Sequence, residues 1–153
     1  MGQENINKLF TPALVVEDLT AAKTLDKFDS GKYFTFSTSS AAYAVTLPAV
    51  STVEAGSWFR FYCKDAPIGV VAYTITGAVG DGRIIHGTQY TSNSSSAYNT
   101  SRNTSGTGVS NIGFSTDAAT IGDNLYIWSD GTYWYATALC DADLGIIFNN
   151  SGM

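Results

Sequence analysis

Length and charge set the first limits on this chain. It has 153 residues, of which 44% are hydrophobic and only 14% are charged, and its formal net charge is −5. This length suits one domain whose core needs no metal or disulfide. Lys and Arg are scattered singly, and no apolar run is long enough to cross a membrane, so the sequence argues against binding to nucleic acid or to a membrane. The first residues lack the pattern of a signal peptide.

Residues 1–19 are predicted to form an extended N-terminal arm. The first eight are mostly polar, and the apolar residues that follow have no helical period. Pro12 argues against one continuous helix. An irregular apolar segment needs a surface to cover it, either its own domain or a neighbouring subunit. The candidate interface residues are Leu9, Phe10, Leu14, Val15 and Val16.

Short strands then alternate with turn residues. Asp29-Ser30-Gly31 predicts a turn, Pro48 closes a strand because it cannot donate to a ladder, and Gly56 precedes a strongly aromatic strand. The predicted strands of this part cover residues 22–25, 32–37, 44–47, 58–63, 70–76 and 83–86.

Residues 88–111 differ from the rest of the chain in composition. Eighteen of these 24 residues are Ser, Thr, Asn or Gly, and Arg102 is the only charged one. The segment is too polar to pack a core and too long for an ordinary loop. We therefore expect an exposed excursion or an extended hairpin, on the surface or between subunits.

Residues 125–128 and 133–138 are predicted to form a β-hairpin. Asp130 and Gly131 supply its structural turn, since Asp-Gly favours a two-residue loop with positive φ. Large side chains alternate onto both faces of both strands. This pattern suits a central hairpin in a two-layer protein, or one covered by another subunit, and with the low charge it predicts a homo-oligomer.

These elements predict an all-β fold. Eight or nine short strands, ending with residues 144–148, indicate a single-domain antiparallel β-sandwich or a jelly-roll-like barrel. The β-domain is expected over residues 20–153, with the arm preceding it.

Catalytic and metal-binding patterns are weak. His86 is the only histidine, is predicted to end a strand, and has no ligands at zinc spacing. Asp123 and Asp130 lie seven positions apart, at opposite ends of one predicted strand, which does not suit a carboxylate pair across a cleft. A calcium site built from Asp81, Asp123 or Asp130 stays open as the minor alternative. We expect a non-enzymatic protein without a cofactor.

Two further features leave alternatives open. Cys63 and Cys140 could pair if their strands are neighbours, although two buried free thiols are the favoured interpretation. The three Trp, nine Tyr and eight Phe could form a platform for sugars. They are more readily explained by a core and by protein interfaces.

An ordered set of short motifs resembles a known class of proteins. The motifs lie between residues 29 and 138 and occur in this order: Asp29-Ser30-Gly31-Lys32, Val45-Thr46-Leu47-Pro48, Gly56 with Phe59 and Phe61, Thr74-Ile75, Asp81-Gly82 with Ile84 and Gly87, Gly122-Asp123, and Ser129-Asp130-Gly131-Thr132 before Trp134-Tyr135. This order resembles the small β-rich virion proteins of tailed bacteriophages, in particular capsid decoration (cement) proteins and similar modules of tail fibres.

The resemblance implies a function and a partner. It implies a non-enzymatic virion protein that binds the outer surface of the head and bridges capsomers, with the major capsid protein as its partner and a homotrimer as its assembly. A tail-fibre or spike component and a carbohydrate-binding β-sandwich module are the alternatives.

Overall fold

A computed structural model gives the fold of this chain. It describes residues 14–37, 41–69, 72–82, 84–93, 101–103 and 106–149. Within these ranges the chain forms twelve β-strands and two short 3-10 helices, at Lys27–Asp29 and Val50–Thr52. The strands are β1 Val16–Leu19, β2 Lys23–Thr24, β3 Tyr33–Phe36, β4 Tyr43–Thr46, β5 Trp58–Cys63, β6 Tyr73–Thr76, β7 Ile85–Asn93, β8 Ser101–Asn103, β9 Asn111–Phe114, β10 Asn124–Ser129, β11 Trp134–Ala142 and β12 Ile146–Asn149.

The strands form two sheets that pack face to face. The seven-stranded sheet has the order β1-β3-β5-β10-β11-β7-β8, and the five-stranded sheet has the order β12-β9-β6-β4-β2. The predicted hairpin of β10 and β11 lies at the centre of the larger sheet, as expected for a two-layer protein. The all-β, sandwich-like fold is therefore confirmed.

Strand direction differs from the prediction of an antiparallel sandwich. The first six strands alternate between the two sheets, so that β1, β3 and β5 lie parallel in one sheet and β2, β4 and β6 lie parallel in the other. Strand β11 is also parallel to β7. A chain that crosses to the other sheet after each strand returns in the same direction, so parallel pairs form although the connections are short.

One hydrophobic core lies between the sheets. Phe34, Phe36, Phe59 and Phe61 of the seven-stranded sheet are fully buried, because every second residue of β3 and β5 points inward. Phe36 stacks on Tyr73 of the opposite sheet, with 4.9 Å between the ring centroids. The alternation read in the sequence therefore defines the core side of each strand.

The last four residues of the predicted N-terminal arm lie in the larger sheet. Val16–Leu19 form β1, the edge strand of the larger sheet, and Leu19 is buried. The Tyr43 hydroxyl donates a hydrogen bond to the Leu19 carbonyl at 2.7 Å. Four residues assigned to the arm are thus part of the sheet, because pairing with β3 and burial of Leu19 supply the partner that the local sequence lacks.

The polar segment 88–111 also contributes to the domain. Strand β7 continues through Asn93 and pairs with β8, which agrees with an extended hairpin. Gln89 and Thr91 are nonetheless buried, contrary to the expectation that the segment cannot pack a core. The Gln89 side-chain amide donates to Thr91 Oγ1 and to Cys140 Sγ, at 3.3 Å each, and buried polar groups are tolerated when they are bonded in this way.

The loop of the central hairpin is longer than expected. Ser129 pairs with Trp134, so four residues connect the strands in place of the predicted two-residue loop. Asp130 Oδ1 accepts hydrogen bonds from the backbone N–H groups of Thr132 and Tyr133, at 2.7 and 2.8 Å. Gly131 has φ of +90°, and it follows Asp130 in a turn that differs from the predicted two-residue loop.

Candidate interaction surface

Aromatic side chains cover the outer surface of the seven-stranded sheet. Residues paired across a sheet point to the same side, so the strand register places them in rows. We call this surface the aromatic face. It consists of Trp58, Trp128, Tyr135 and His86 in one row, Tyr33, Arg60 and Tyr126 in the next, and Tyr62 in a third.

The local sequence explains why these residues point outward. In β5, Trp58, Arg60 and Tyr62 alternate with the fully buried Phe59 and Phe61. Purely apolar rings take the core side, whereas Trp, Tyr and Arg can keep a polar atom in contact with water while their apolar parts pack together. The same alternation in β10 and β11 extends the aromatic face, which spans the five neighbouring strands from β3 to β7.

Arg60 lies at the centre of the first group of rings. Its guanidinium carbon is 5.7 Å from the centre of the Tyr33 ring and 5.1 Å from that of Tyr126, within the range of cation–π attraction. Its Nη1 donates a hydrogen bond to the Tyr62 hydroxyl at 3.2 Å. An arginine is positively charged at any ordinary pH, and the bond to Tyr62 raises the pKa of Arg60 further. Three tyrosines hold this charged side chain in place.

A second group of rings surrounds Trp128. The rings of Trp128 and Tyr135 are stacked with centroids 4.7 Å apart. His86 lies edge-on to Tyr133 at 4.9 Å. The Tyr135 hydroxyl donates to Asp130 Oδ2 at 3.0 Å, which ties this group to the hairpin loop. Trp128 and Tyr133 remain 38% and 41% exposed, so the group is open to a partner.

The charges around the aromatic face leave Arg60 as its distinctive cation. Arg60 forms no salt bridge with any carboxylate that the structure describes. Three lysines do form salt bridges, which are Lys23 and Lys32 with Glu17 and Asp29, and Lys64 with Asp18.

Asp18 lies at the rim of the aromatic face, on the edge strand β1. Its carboxylate accepts hydrogen bonds from Lys64, Ser37 and Thr35. These bonds, the one from Lys64 above all, lower the pKa of Asp18 to about 2. Its negative charge is therefore already neutralised by Lys64, and the rim does not offset the charge of Arg60.

The predicted interface residues divide into two sets. Leu9 and Phe10 lie outside the described residues. Leu14, Val15 and Val16 are exposed by 61%, 51% and 56%. Val16 pairs with Tyr33 and so extends a row of the aromatic face toward the sheet edge.

The polar residues considered for catalysis or metal binding are separated in the fold. His86 lies near the start of β7, contrary to the predicted strand end, and its nearest ring partners are tyrosines. Asp81 accepts from the Val50 N–H, and Asp123 accepts from Thr120, in different loops. Among the described residues, no three potential metal ligands come together.

Cys63 and Cys140 are both free and buried. Burial raises the pKa of the Cys63 thiol to about 12, which keeps it protonated. The interpretation of two small buried thiols is therefore confirmed, and the alternative of a disulfide is not.

A cleft of about 910 Å³ opens beside the third row of the aromatic face. Tyr90, Leu139 and Ile121 form an apolar rim and are 46%, 48% and 73% exposed. Asp123 lies buried at its floor and also accepts from the Asp141 N–H at 2.9 Å, so this carboxylate holds the 120–123 loop against β11. The cleft thus extends the apolar surface and leaves its one buried carboxylate in a structural role.

The two outer surfaces of the sandwich differ in side-chain size. The register of the five-stranded sheet places small or neutral side chains outward. They are Thr24, Ala44, Thr46, Thr74, Thr76, Asn111, Gly113, Ile147 and Asn149. Tyr, Trp and Arg are concentrated on the seven-stranded side, which makes that side the candidate interaction surface.

Sequence reasoning treated the aromatic residues as one group and did not single out Arg60. The signal was present in β5, where a charged residue stands between two phenylalanines that predict the opposite face.

Comparison of this chain with protein-family models, curated proteins and solved structures found no match. Within the described residues, no helix is long and apolar enough to cross a membrane.

Proposed function

We propose that this chain is a structural protein of a bacteriophage virion. It binds the outer surface of the head and stabilises the capsid by bridging capsomers, with the major capsid protein as its partner. The observation that carries this proposal is the aromatic face, which concentrates Trp, Tyr and Arg on one side of the domain. These residue types are enriched at the energetic centres of protein interfaces.

The size of the aromatic face suits the centre of an interface. Five strands at about 4.8 Å each and three rows of side chains at about 6.7 Å each cover about 24 Å by 20 Å, or roughly 500 Å². A stable interface buries about 800 Å² on each partner. The exposed residues Val16, Tyr90 and Leu139 adjoin the rows and would supply part of the remainder.

Two further properties support attachment to the outside of a capsid. The motifs of residues 29–138 resemble those of decoration proteins, and this resemblance also implies a homotrimer. A net charge of −5 suits a surface away from packaged DNA. The low content of charged residues reduces the desolvation required on docking.

A carbohydrate-binding module is the second candidate, because Trp128 and Tyr133 are exposed. Sugars bind aromatic side chains through the flat faces of the rings. Trp128 and Tyr135 instead stack on each other, with 25° between their planes, so each covers one face of the other. This geometry favours a protein surface over a sugar. The other alternative, a tail-fibre or spike component, would use the same aromatic face at a different place on the particle.

Imaging of purified particles tests the proposal directly. We expect several hundred copies over the head. A few copies at the tail would support the tail component instead. Rebinding to particles stripped of the protein then tests the aromatic face, and Trp128→Ala is expected to weaken binding about 30-fold or more. Val79→Ala is the matched control, because Val79 is fully exposed in a loop outside the aromatic face.

A further inference from the structure

We propose that Arg60 selects the partner by binding a carboxylate on the capsid surface. This inference rests on the proposed function and adds the chemistry that the docking site requires. Arg60 is the charged residue at the centre of the aromatic face, between the rings of Tyr33 and Tyr126. The partner accordingly presents an acidic side chain or a chain terminus to these rings.

The geometry prepares the guanidinium for this contact. An arginine has five N–H donors in a planar fork that matches a carboxylate in two parallel bonds. Among the described residues, its hydrogen-bond acceptor is the Tyr62 hydroxyl. The neighbouring rings restrict the side chain before binding, so little conformational freedom is lost when the carboxylate arrives.

Desolvation makes the contact selective. Docking a flat protein surface on the aromatic face would remove water from Arg60. A charge buried without an opposite charge is strongly unfavourable, whereas one paired in good geometry is tolerated or favourable. A partner without an anion at this point is therefore rejected, which gives specificity in addition to the affinity supplied by the rings.

The charge of the rest of the chain limits where a carboxylate of a partner can bind. The net charge is −5, so most of the protein repels acidic groups, and only a local positive site attracts them. Of the four described lysines, Lys23, Lys32 and Lys64 are already in salt bridges, and Lys27 lies beside Phe28, away from the aromatic face. Arg60 is thus a local positive site on an acidic molecule, and it orients the docked protein.

Rebinding to stripped particles tests this inference with two variants. Arg60→Gln removes the charge, and we expect binding to weaken about 30-fold or more, with a smaller dependence on NaCl than in the wild type. Arg60→Lys keeps the charge and loses the planar fork, so we expect an intermediate loss of about 3- to 10-fold. Lys27→Gln is the control with the same change in net charge, and Lys27 stands beside Phe28, away from the aromatic face. It should bind as the wild type does.

The outcomes separate this inference from the proposed function. If the wild type does not rebind to heads, the proposed function fails. If the wild type rebinds and Arg60→Gln binds equally tightly with the same salt dependence, the inference about Arg60 is overturned and the proposed function stands. Melting temperatures show whether Arg60→Gln is folded. If it is not, the comparison of Arg60→Lys with the wild type decides whether the inference about Arg60 holds. Titration with N-acetylneuraminic acid covers the other source of a carboxylate, and submillimolar binding that Arg60→Gln abolishes would overturn the assignment to a protein partner.

Discussion

Gly87 gives the sharpest test of how the two sheets fit together. It lies in β7 opposite Ala136, and the ring of Phe148 from the other sheet packs directly against it. A methyl carbon added at Gly87 would lie 2.3 Å from Phe148 Cε1, 2.6 Å from Phe148 Cζ and 2.8 Å from the Ala136 carbonyl oxygen. We therefore expect Gly87→Ala to destabilise the domain.

The magnitude follows from these contacts. Carbon atoms pack at about 3.5–4.0 Å, so the ring would have to move by more than about 1 Å. The Ala136 carbonyl is held in the backbone of the central sheet and cannot move as easily. Overpacking of this kind costs about 1–3 kcal/mol, and the reduced freedom of the unfolded chain returns about 0.4–1 kcal/mol. A net loss of about 1.3 kcal/mol, or about 3–5 °C in melting temperature, is expected.

Urea denaturation followed by tryptophan fluorescence measures this loss, because Trp134 is fully buried in the core. Gly113→Ala is the matched control, since Gly113 also lies in a strand and a methyl group there meets no atom within 4 Å. The control should be as stable as the wild type or slightly more stable. The double variant Gly87→Ala/Phe148→Leu lacks the ring that the new methyl group would meet. Its loss of unfolding free energy should be about 1 kcal/mol smaller than the sum of the losses in the two single variants. Equal stability of Gly87→Ala and the wild type would refute the reasoning, as would strict additivity.

Three further predictions concern the hairpin loop, the rim of the aromatic face and the edge strand. Gly131→Val should lower the free energy of unfolding by about 1–3 kcal/mol, because φ is +90° there, and an unchanged melting temperature would contradict it. The folded pKa of Asp18, about 2, lies below its ordinary value of 3.8, so its contribution is present above about pH 4 and is lost as the pH falls toward 2. Asp18 is 45% exposed, so its contribution to the free energy of unfolding is expected to be only about 0.2–1 kcal/mol. Urea midpoints measured between about pH 5 and 2 should show the loss of this contribution in the wild type, and Asp18→Asn should lack it. Deleting residues 1–19 removes β1 and the buried Leu19, and should cost at least about 1.5–3 kcal/mol more than deleting residues 1–13, whereas equal stability would show that β1 is dispensable.

The candidate site could be predicted only in part from the sequence. The alternation in β5 places Trp58, Arg60 and Tyr62 on one side of a strand, and this information is local. Their alignment with Tyr33 and Tyr126 depends on pairing between strands that are far apart in the chain. Leu14, Val15 and Val16 could be chosen as candidate interface residues from the sequence, because they are apolar and their segment has no period that would bury them in a regular element. All three are exposed in the structure.

The sequence by itself determined most of the strands, the positions of several turns, and the side of strands such as β3, β5 and β10 that faces the core. These features depend on neighbouring residues, through the two-residue period of a strand and the backbone preferences of Gly, Asp and Pro. Only the tertiary structure decided which sheet each strand joins, which pairs are parallel and how the rows of the aromatic face align. A turn such as Asp29-Ser30-Gly31 ends one strand but does not specify the partner of the next, because that partner is chosen by core packing and hydrogen bonding over the whole domain.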